Sequence, residues 1–388
     1  MNPFSAIFVP DELADAVSDR AWLGALLDAE RALARAEATA GVISGAASAA
    51  IAEACDPSLY DAAELAVQGR ATGTPVGPLV RALRERVGEP HAAAVHHGAT
   101  SQDVLDSAAM LVAQRACRLI DAELAGATDE CARLAAEHRH TVMAARTLLQ
   151  QAVPTTFGFK AAGWLVGLVE TRARLADVAG SLPAQLGGAA GTLAALGDRG
   201  AEVSRLYAGE LGLREPVLPW HTIRTPLAEL AGALASAAGA AAKIGGDVVL
   251  LAQTEVGEVA EREPGGSSTM PQKRNPVGAV LAVACERHAR ANAAILVESV
   301  VQEHERAAGA WHAEWHALTT ALAATGSAAA AVRRSLTGLE IDADRMRANI
   351  DAGTLAEAER LGIDAQRPED YLGSVDAFVD RALALHRG

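Results

Sequence analysis

The segment GGSSTMPQKRNPVG, from Gly265 to Gly278, sets three hydroxyls, two cations and two amides between glycines that can act as hinges. Ser267 and Lys273 stand six residues apart, close enough for a folded-back loop to bring them together. A serine hydroxyl turns basic only when closure removes water and surrounds it with cations and N–H dipoles, a field that Lys273 and the loop amides can supply. A flexible linker is the plain alternative, yet linkers rarely crowd Met, Pro, Lys, Arg and Asn so closely.

Three other segments carry chemistry-bearing side chains. In HHGATSQD, His96 and His97 precede a Gly turn and a helix start bearing Thr100 and Ser101. Free N–H groups, two hydroxyls and the helix dipole together suit a carboxylate, although an ordinary cap with surface histidines uses the same residues. In ARTLLQQAVP, Arg146 and Gln150 fall at i and i+4, which on a helix puts a cation and an amide on one face, as an anion grip or as a solvated helix end. In QEHERAAGAWHAEWH, His304, Arg306 and His312 can line a cavity backed by Trp311 and Trp315. A metal site there would need converging ligands and a supporting shell that the spacing does not specify, and a plain amphipathic helix fits the same residues.

Long helices are what must position these segments. Ser18 precedes a run with Trp22, Leu26, Ala29 and Leu33 at helical spacing that stops at Gly41, and shorter helical pieces follow near 44–55, 60–69 and 76–87. From Thr100, with Asp103 in the first turn, about forty residues run without proline, a rod of roughly 55 Å. Further helices are expected from Pro154 to about Gly180, from Pro226 to the quoted loop, from Pro276 to about Arg306, and from about Ala313 to Leu336. No strand-like alternation is sustained beyond a few residues. The expectation is an all-α fold with five long antiparallel helices, and that much apolar surface on long rods implies oligomerisation.

Composition narrows the partners. With 50% apolar residues but only 3% aromatics, the core must be built of Ala, Leu and Val, whose small side chains allow close helix packing. A net charge of −14 without a basic run would repel nucleic acid. Four scattered cysteines, Cys55, Cys117, Cys131 and Cys285, suit free thiols in a reducing compartment and signal neither zinc nor disulfides. No signal peptide or long strongly apolar run is expected, so the chain reads as cytoplasmic, with no membrane partner.

The quoted loop resembles the signature of the fumarase/aspartase superfamily, and HHGATSQD and ARTLLQQA are similar to its other two shared regions, in the same order. Within that superfamily TPVGPLVRAL, GTLAALGDRG, PWHT, QTEVGEV and QEHERAAGAWHAEW, with the segments above, are most similar to the bacterial 3-carboxy-cis,cis-muconate cycloisomerases, from about residue 4 to about 335. The resemblance implies three parts: an N-terminal helical domain over 1–99, a central long-helix domain over 100–338 with a mobile catalytic loop at 262–276, and a short helical cap over 339–388. It also implies a homotetramer with a shared central bundle and each active site assembled from three subunits. The implied activity interconverts 3-carboxy-cis,cis-muconate and 4-carboxymuconolactone, in the protocatechuate branch of aromatic breakdown, without metal or other cofactor.

Carried over by motif, Ser267 is the base, Lys273 and Asn275 stabilise the enolate-like dianion, and His96 orients substrate or relays a proton. Thr74, Thr100, Ser101, Arg146, Gln150 and Arg306 are the expected contacts to the di- or tricarboxylate substrate. Two features depart from the superfamily. Leu148 stands where many of its lyases carry a histidine that protonates the leaving group, and the tail after about 340 is shorter than usual. The alternatives are a lyase releasing an amine, nitrite or similar group from a substituted succinate, and a non-catalytic bundle that keeps only the scaffold.

Overall fold

The structure, a computed structural model, describes residues 5–266, 269–270 and 272–387. Ser267 lies outside the described residues. Helix α1 (Asp19–Thr39) starts where the Ser18 hydroxyl accepts the Ala21 N–H at 3.2 Å, the cap that its sequence suggests. Five shorter helical segments lead to α2 (Ser101–Glu137), whose 37 residues span about 55 Å. Four more long helices follow: α3 (Phe157–Gly180), α4 (Thr225–Leu251), α5 (Val277–Glu298) and α6 (Ala310–Leu336).

Residue pairings give the directions of the rods. Trp311 meets Asp106 near the start of α2, and Arg333 meets Glu123 further along it, so α6 runs parallel to α2. Arg224, at the N-cap of α4, also meets Asp106, while the Leu234 carbonyl accepts from Thr325, so α4 shares that direction. Arg172 pairs with Asp121 and Trp164 with Asp247, which makes α3 antiparallel to both. Helix α5 returns the chain between α4 and α6 in an up-down-up-down-up bundle. Small residues set its closeness: a Cβ on Gly245 would lie 2.7 Å from the Ala279 carbonyl, and one on Gly278 would lie 3.1 Å from that of Ala331.

Helix α4 is long and apolar enough to cross a membrane, yet Leu227, Leu230, Leu234, Ile244 and Val248 are buried against its neighbours. It is a core helix. All four cysteines are buried and free.

The fold departs from the sequence expectation between α2 and α3. Residues 142–156 form a hairpin of β1 (Val142–Thr147) and β2 (Gln150–Thr156), where a helix carrying Arg146 and Gln150 on one face was expected. Pro154 does not open a helix. It sits within β2 opposite Ala144, tolerable because a two-stranded ribbon has free edges for its missing donor, and α3 begins at Phe157 behind a Thr156 cap. The turn is Leu148–Leu149, both in the left-handed region at φ 51° and 64°, a conformation for which Asn-Gly is the usual signal. A second short pair, β3 (Val259–Ala260) with β4 (Glu340–Ile341), ties the end of α6 to the segment before the glycine-rich loop. Helix α4 therefore stops short of that loop, and α5 ends at Glu298 rather than near Arg306.

Candidate active site

The five rods leave the chemistry-bearing residues at two ends. At the first, the start of α2 is welded to its surroundings by Asp103. Its buried carboxylate accepts from the Thr100, Gly187 and Gly188 N–H groups at 2.9 Å each and faces His221 Nε2 at 2.7 Å. One turn on, Asp106 accepts from Arg224 at 2.7 and 3.0 Å and from Trp311 Nε1 at 2.9 Å. Arg224 also donates to Glu314 and lies 4.5 Å over the Trp220 ring. Burial raises the Glu314 carboxyl to about 6, with Arg224 opposing the rise.

This buried scaffold presents Arg306. Its guanidinium donates to the Gln102 side chain at 3.1 Å and to the Ala189 carbonyl at 2.7 Å, and Gln102 is itself held by the His221 carbonyl and by Asp106. Both of these acceptors are neutral, and among the described residues no carboxylate pairs with Arg306, while Gln102 ties it to the first turn of α2, which begins with Ser101 behind the Thr100 cap. Thr74 is nearby in the fold, because the adjacent Gly73 faces His312 at the start of α6. Its hydroxyl accepts the Val76 N–H at 3.3 Å, at the start of the helix Val76–Val87, whose N-cap is Pro75.

Behind this end stand two carboxylate–imidazole pairs on α1. His96 Nδ1 lies 2.6 Å from Glu30, and His97 Nδ1 lies 3.0 Å from Glu37. Burial raises the Glu37 carboxyl to about 7, only partly offset by His97. The unfolded chain therefore ionises first, and stability falls as pH rises from 4.5 through about 7, by about 3 kcal/mol in total. Glu37→Gln is expected to flatten that slope. Denaturant titrations at pH 5 and pH 8 that give the same stability difference for both proteins would contradict it.

The second end holds the hairpin and the loop. Arg146 does not offer a free cation, since its two guanidinium nitrogens grip the fully buried Glu258 at 2.9 and 2.6 Å. Gln150, on the facing strand, is exposed, and the tip residues Leu148 and Leu149 are 96% and 71% exposed. Gln151 and Asn349 clamp the hairpin to the tail, with Gln151 donating to the Asn349 carbonyl at 2.7 Å and accepting the Asp351 N–H at 2.9 Å. Asn275 closes the neck of the loop by backbone bonds to Gly265 in both directions and by its amide to the Gly265 carbonyl at 3.1 Å. Lys273 is exposed, and among the described residues its ammonium has no partner. An open groove of about 1210 Å³ runs beside the loop past Glu261, Met270, Lys273, Asn275 and Val280.

His96, Thr100, Ser101, Arg306 and the Thr74 turn thus gather at one end, while Arg146, Gln150, Lys273 and Asn275 gather at the other. The 37-residue α2 separates them by about 55 Å. Sequence reasoning missed Glu30, Asp103, Asp106, His221, Arg224, Glu258 and Glu314 as members of these ends. A signal existed for Glu30 and Glu37, two acids spaced seven apart beside the apolar stripe of α1. Among the described residues no group of three or more His, Cys, Asp or Glu side chains is arranged to hold a metal ion.

A family profile described as lyase matches residues 9–326. The chain belongs to the fumarase/aspartase lyase family. It is 49% identical over 354 residues to nitrosuccinate lyase of Streptomyces davaonensis, covering 87% of this chain and 74% of that protein. It is 47% identical over 385 residues to 3-carboxy-cis,cis-muconate cycloisomerase of Bradyrhizobium diazoefficiens, covering 95% and 84%. The crystal structure of the 3-carboxy-cis,cis-muconate lactonizing enzyme of Pseudomonas putida superposes with a TM-score of 0.92 at 37% identity, covering 100% of this chain and 99% of that one. Both relatives act within one lyase family fold, so the choice between their chemistries rests on the site.

Proposed function

We propose that the protein is a cytoplasmic cycloisomerase that interconverts 3-carboxy-cis,cis-muconate and 4-carboxymuconolactone, in the protocatechuate branch of aromatic breakdown. Its sites are composite, each combining the Arg306 end of one chain with the loop and hairpin ends of others in a homotetramer. The separation of the two ends by a 55 Å rod supports that arrangement, because one chain cannot fold its own halves together. Substrate carboxylates bind to Arg306, Thr100, Ser101, Gln150 and the Thr74 turn. Arg146, already committed to Glu258, fixes the hairpin rather than gripping the anion.

In the lactone-forming direction a carboxylate oxygen of the substrate adds to its own double bond. The displaced π electrons settle on the neighbouring carbon and its carboxylate, a dianion that Lys273 and Asn275 stabilise. Preorganised donors of this kind are worth roughly 10²–10³ in rate each. The Ser267 hydroxyl then gives its proton to that carbon, and in the reverse direction the Ser267 alkoxide takes the proton back. No step needs metal or nucleotide.

Leu148, at the exposed hairpin tip, can neither give nor take a proton, which argues against a lyase that releases an amine. A carboxylate leaves the opening lactone as a stable anion and needs no acid, whereas an amine does. Nitrite is also a stable anion, and the 49% identity to a nitrosuccinate lyase keeps elimination of nitrite from a substituted succinate as the second reading. The near-complete superposition on a cycloisomerase favours the first.

Purified protein mixed with carboxymuconate is expected to bleach the conjugated-diene absorbance, and Ser267→Ala to slow this roughly 10²- to 10⁴-fold. A protein silent towards carboxymuconate that releases nitrite from nitrosuccinate would transfer the assignment to the second reading.

A further inference from the structure

We infer that Glu30 is a positioning residue that holds His96 as an imidazolium, so that the ring serves carboxylate recognition and not proton transfer. The inference deepens the cycloisomerase reading and rests on it for the identity of the bound anion.

Glu30 lies on α1 with 1% exposure, and its Oε1 is 2.6 Å from His96 Nδ1. Its other oxygen is buried and has no partner among the described residues, so His96 is the donor on which this carboxylate depends. A buried carboxylate without a counter-charge is costly, and the imidazolium supplies one at short range. His96 itself adopts the left-handed conformation at φ 58°, an uncommon state for a residue with a side chain that neighbouring structure must hold in place. The Val95 carbonyl beside it accepts from Arg84 at 3.1 Å, which helps to fix that bend.

The ring stands four residues before the N-cap of α2, and His96 Nε2 has no partner among the described residues. The protonation state decides what this nitrogen offers. In neutral imidazole with Nδ1–H directed at Glu30, Nε2 is an acceptor that repels a carboxylate, whereas in the imidazolium it is a charge-assisted donor aimed from the same place. The electrostatic surroundings favour the cation. Burial lowers the His96 pKa, but the Glu30 contact, with Asp103 on α2 adding to it, more than reverses this, and Arg84 on the helix Val76–Val87 opposes the rise. Glu37 and His97 form the next pair along α1, and Asp103 is already saturated by three N–H groups and His221. The cation is present below its raised pKa and is lost as pH climbs through it, so substrate affinity weakens above that point.

Histidine-selective carbon-13 labelling of the intact protein, with His96→Gln to identify the resonance, reads the titration directly. The wild-type His96 ring is expected to titrate above the ordinary histidine range, and in Glu30→Gln, which keeps the hydrogen bond and removes the charge, below it. A wild-type ring that titrates at or below the ordinary range, or one that Glu30→Gln leaves unmoved, overturns the inference. Because this titration needs no substrate, its failure is distinct from failure of the cycloisomerase reading. In kinetics with whichever substrate the protein turns over, Glu30→Gln should raise KM roughly 10- to 100-fold at neutral pH and lower kcat little. A fall in kcat at unchanged KM would assign proton transfer to His96 instead. Glu30→Asp, which retains the charge, should recover part of the KM loss, and a matching melting temperature for all three proteins excludes a folding defect.

Discussion

Replacing Asp106 by Ala is expected to cost about 3–5 kcal/mol of folding stability, more than any surface ion pair in the molecule. Arg224 is 1% exposed, and Asp106 and Glu314 flank it at 2% and 4% side-chain exposure. Removing one carboxylate leaves a buried guanidinium half-compensated, strips Trp311 Nε1 of its acceptor and takes one partner from Gln102. None of these groups can reach water without opening the junction of α2, α4 and α6. Denaturant unfolding measures the loss directly. Arg199→Ala, which breaks the exposed pair with Glu202, is the control and should leave the midpoint unchanged. A midpoint for Asp106→Ala as near to wild type as the control's would mean that the buried network does not hold the bundle end together. The same substitution should also raise KM, because Gln102 is the group on which Arg306 rests.

The contrast between this network and the helices that carry it explains what was legible in the sequence. Apolar periodicity, the Ser18 cap, the break before Thr100 and Pro226 mark the rods because local rules decide where a helix starts and which face it buries. The hairpin escaped because its turn is Leu148–Leu149, without the Gly or Asn that a left-handed turn usually shows, and because Pro154 imitates a helix opening. Tertiary contacts, here the grip of Arg146 on Glu258 and of Gln151 on the 349–351 backbone, impose a conformation that the segment does not announce. Asp103 read as an acidic first turn and proved to be the acceptor that joins the start of its own helix to two remote segments. Its partners Gly187, Gly188 and His221 lie 84 to 118 residues away, a separation that no local pattern encodes. The loop motif was the most specific signal in the chain, and its Lys273 and Asn275 are found at the end opposite Arg306.

That opposition yields the second large expectation. If each site takes Ser267 from one chain and Arg306 from another, two separately inactive proteins must complement each other. Ser267→Ala and Arg306→Ala, each tagged differently and each nearly silent alone, would be co-expressed in equal amounts and the mixed assemblies purified through both tags. A site that draws the two residues from different chains receives both intact side chains in about one case in four when the chains assort randomly, so about a quarter of wild-type turnover should return. Mixed assemblies of the proper size that stay as inactive as either parent would contradict the account, because both residues would then have to serve the same site from the same chain, across the length of α2.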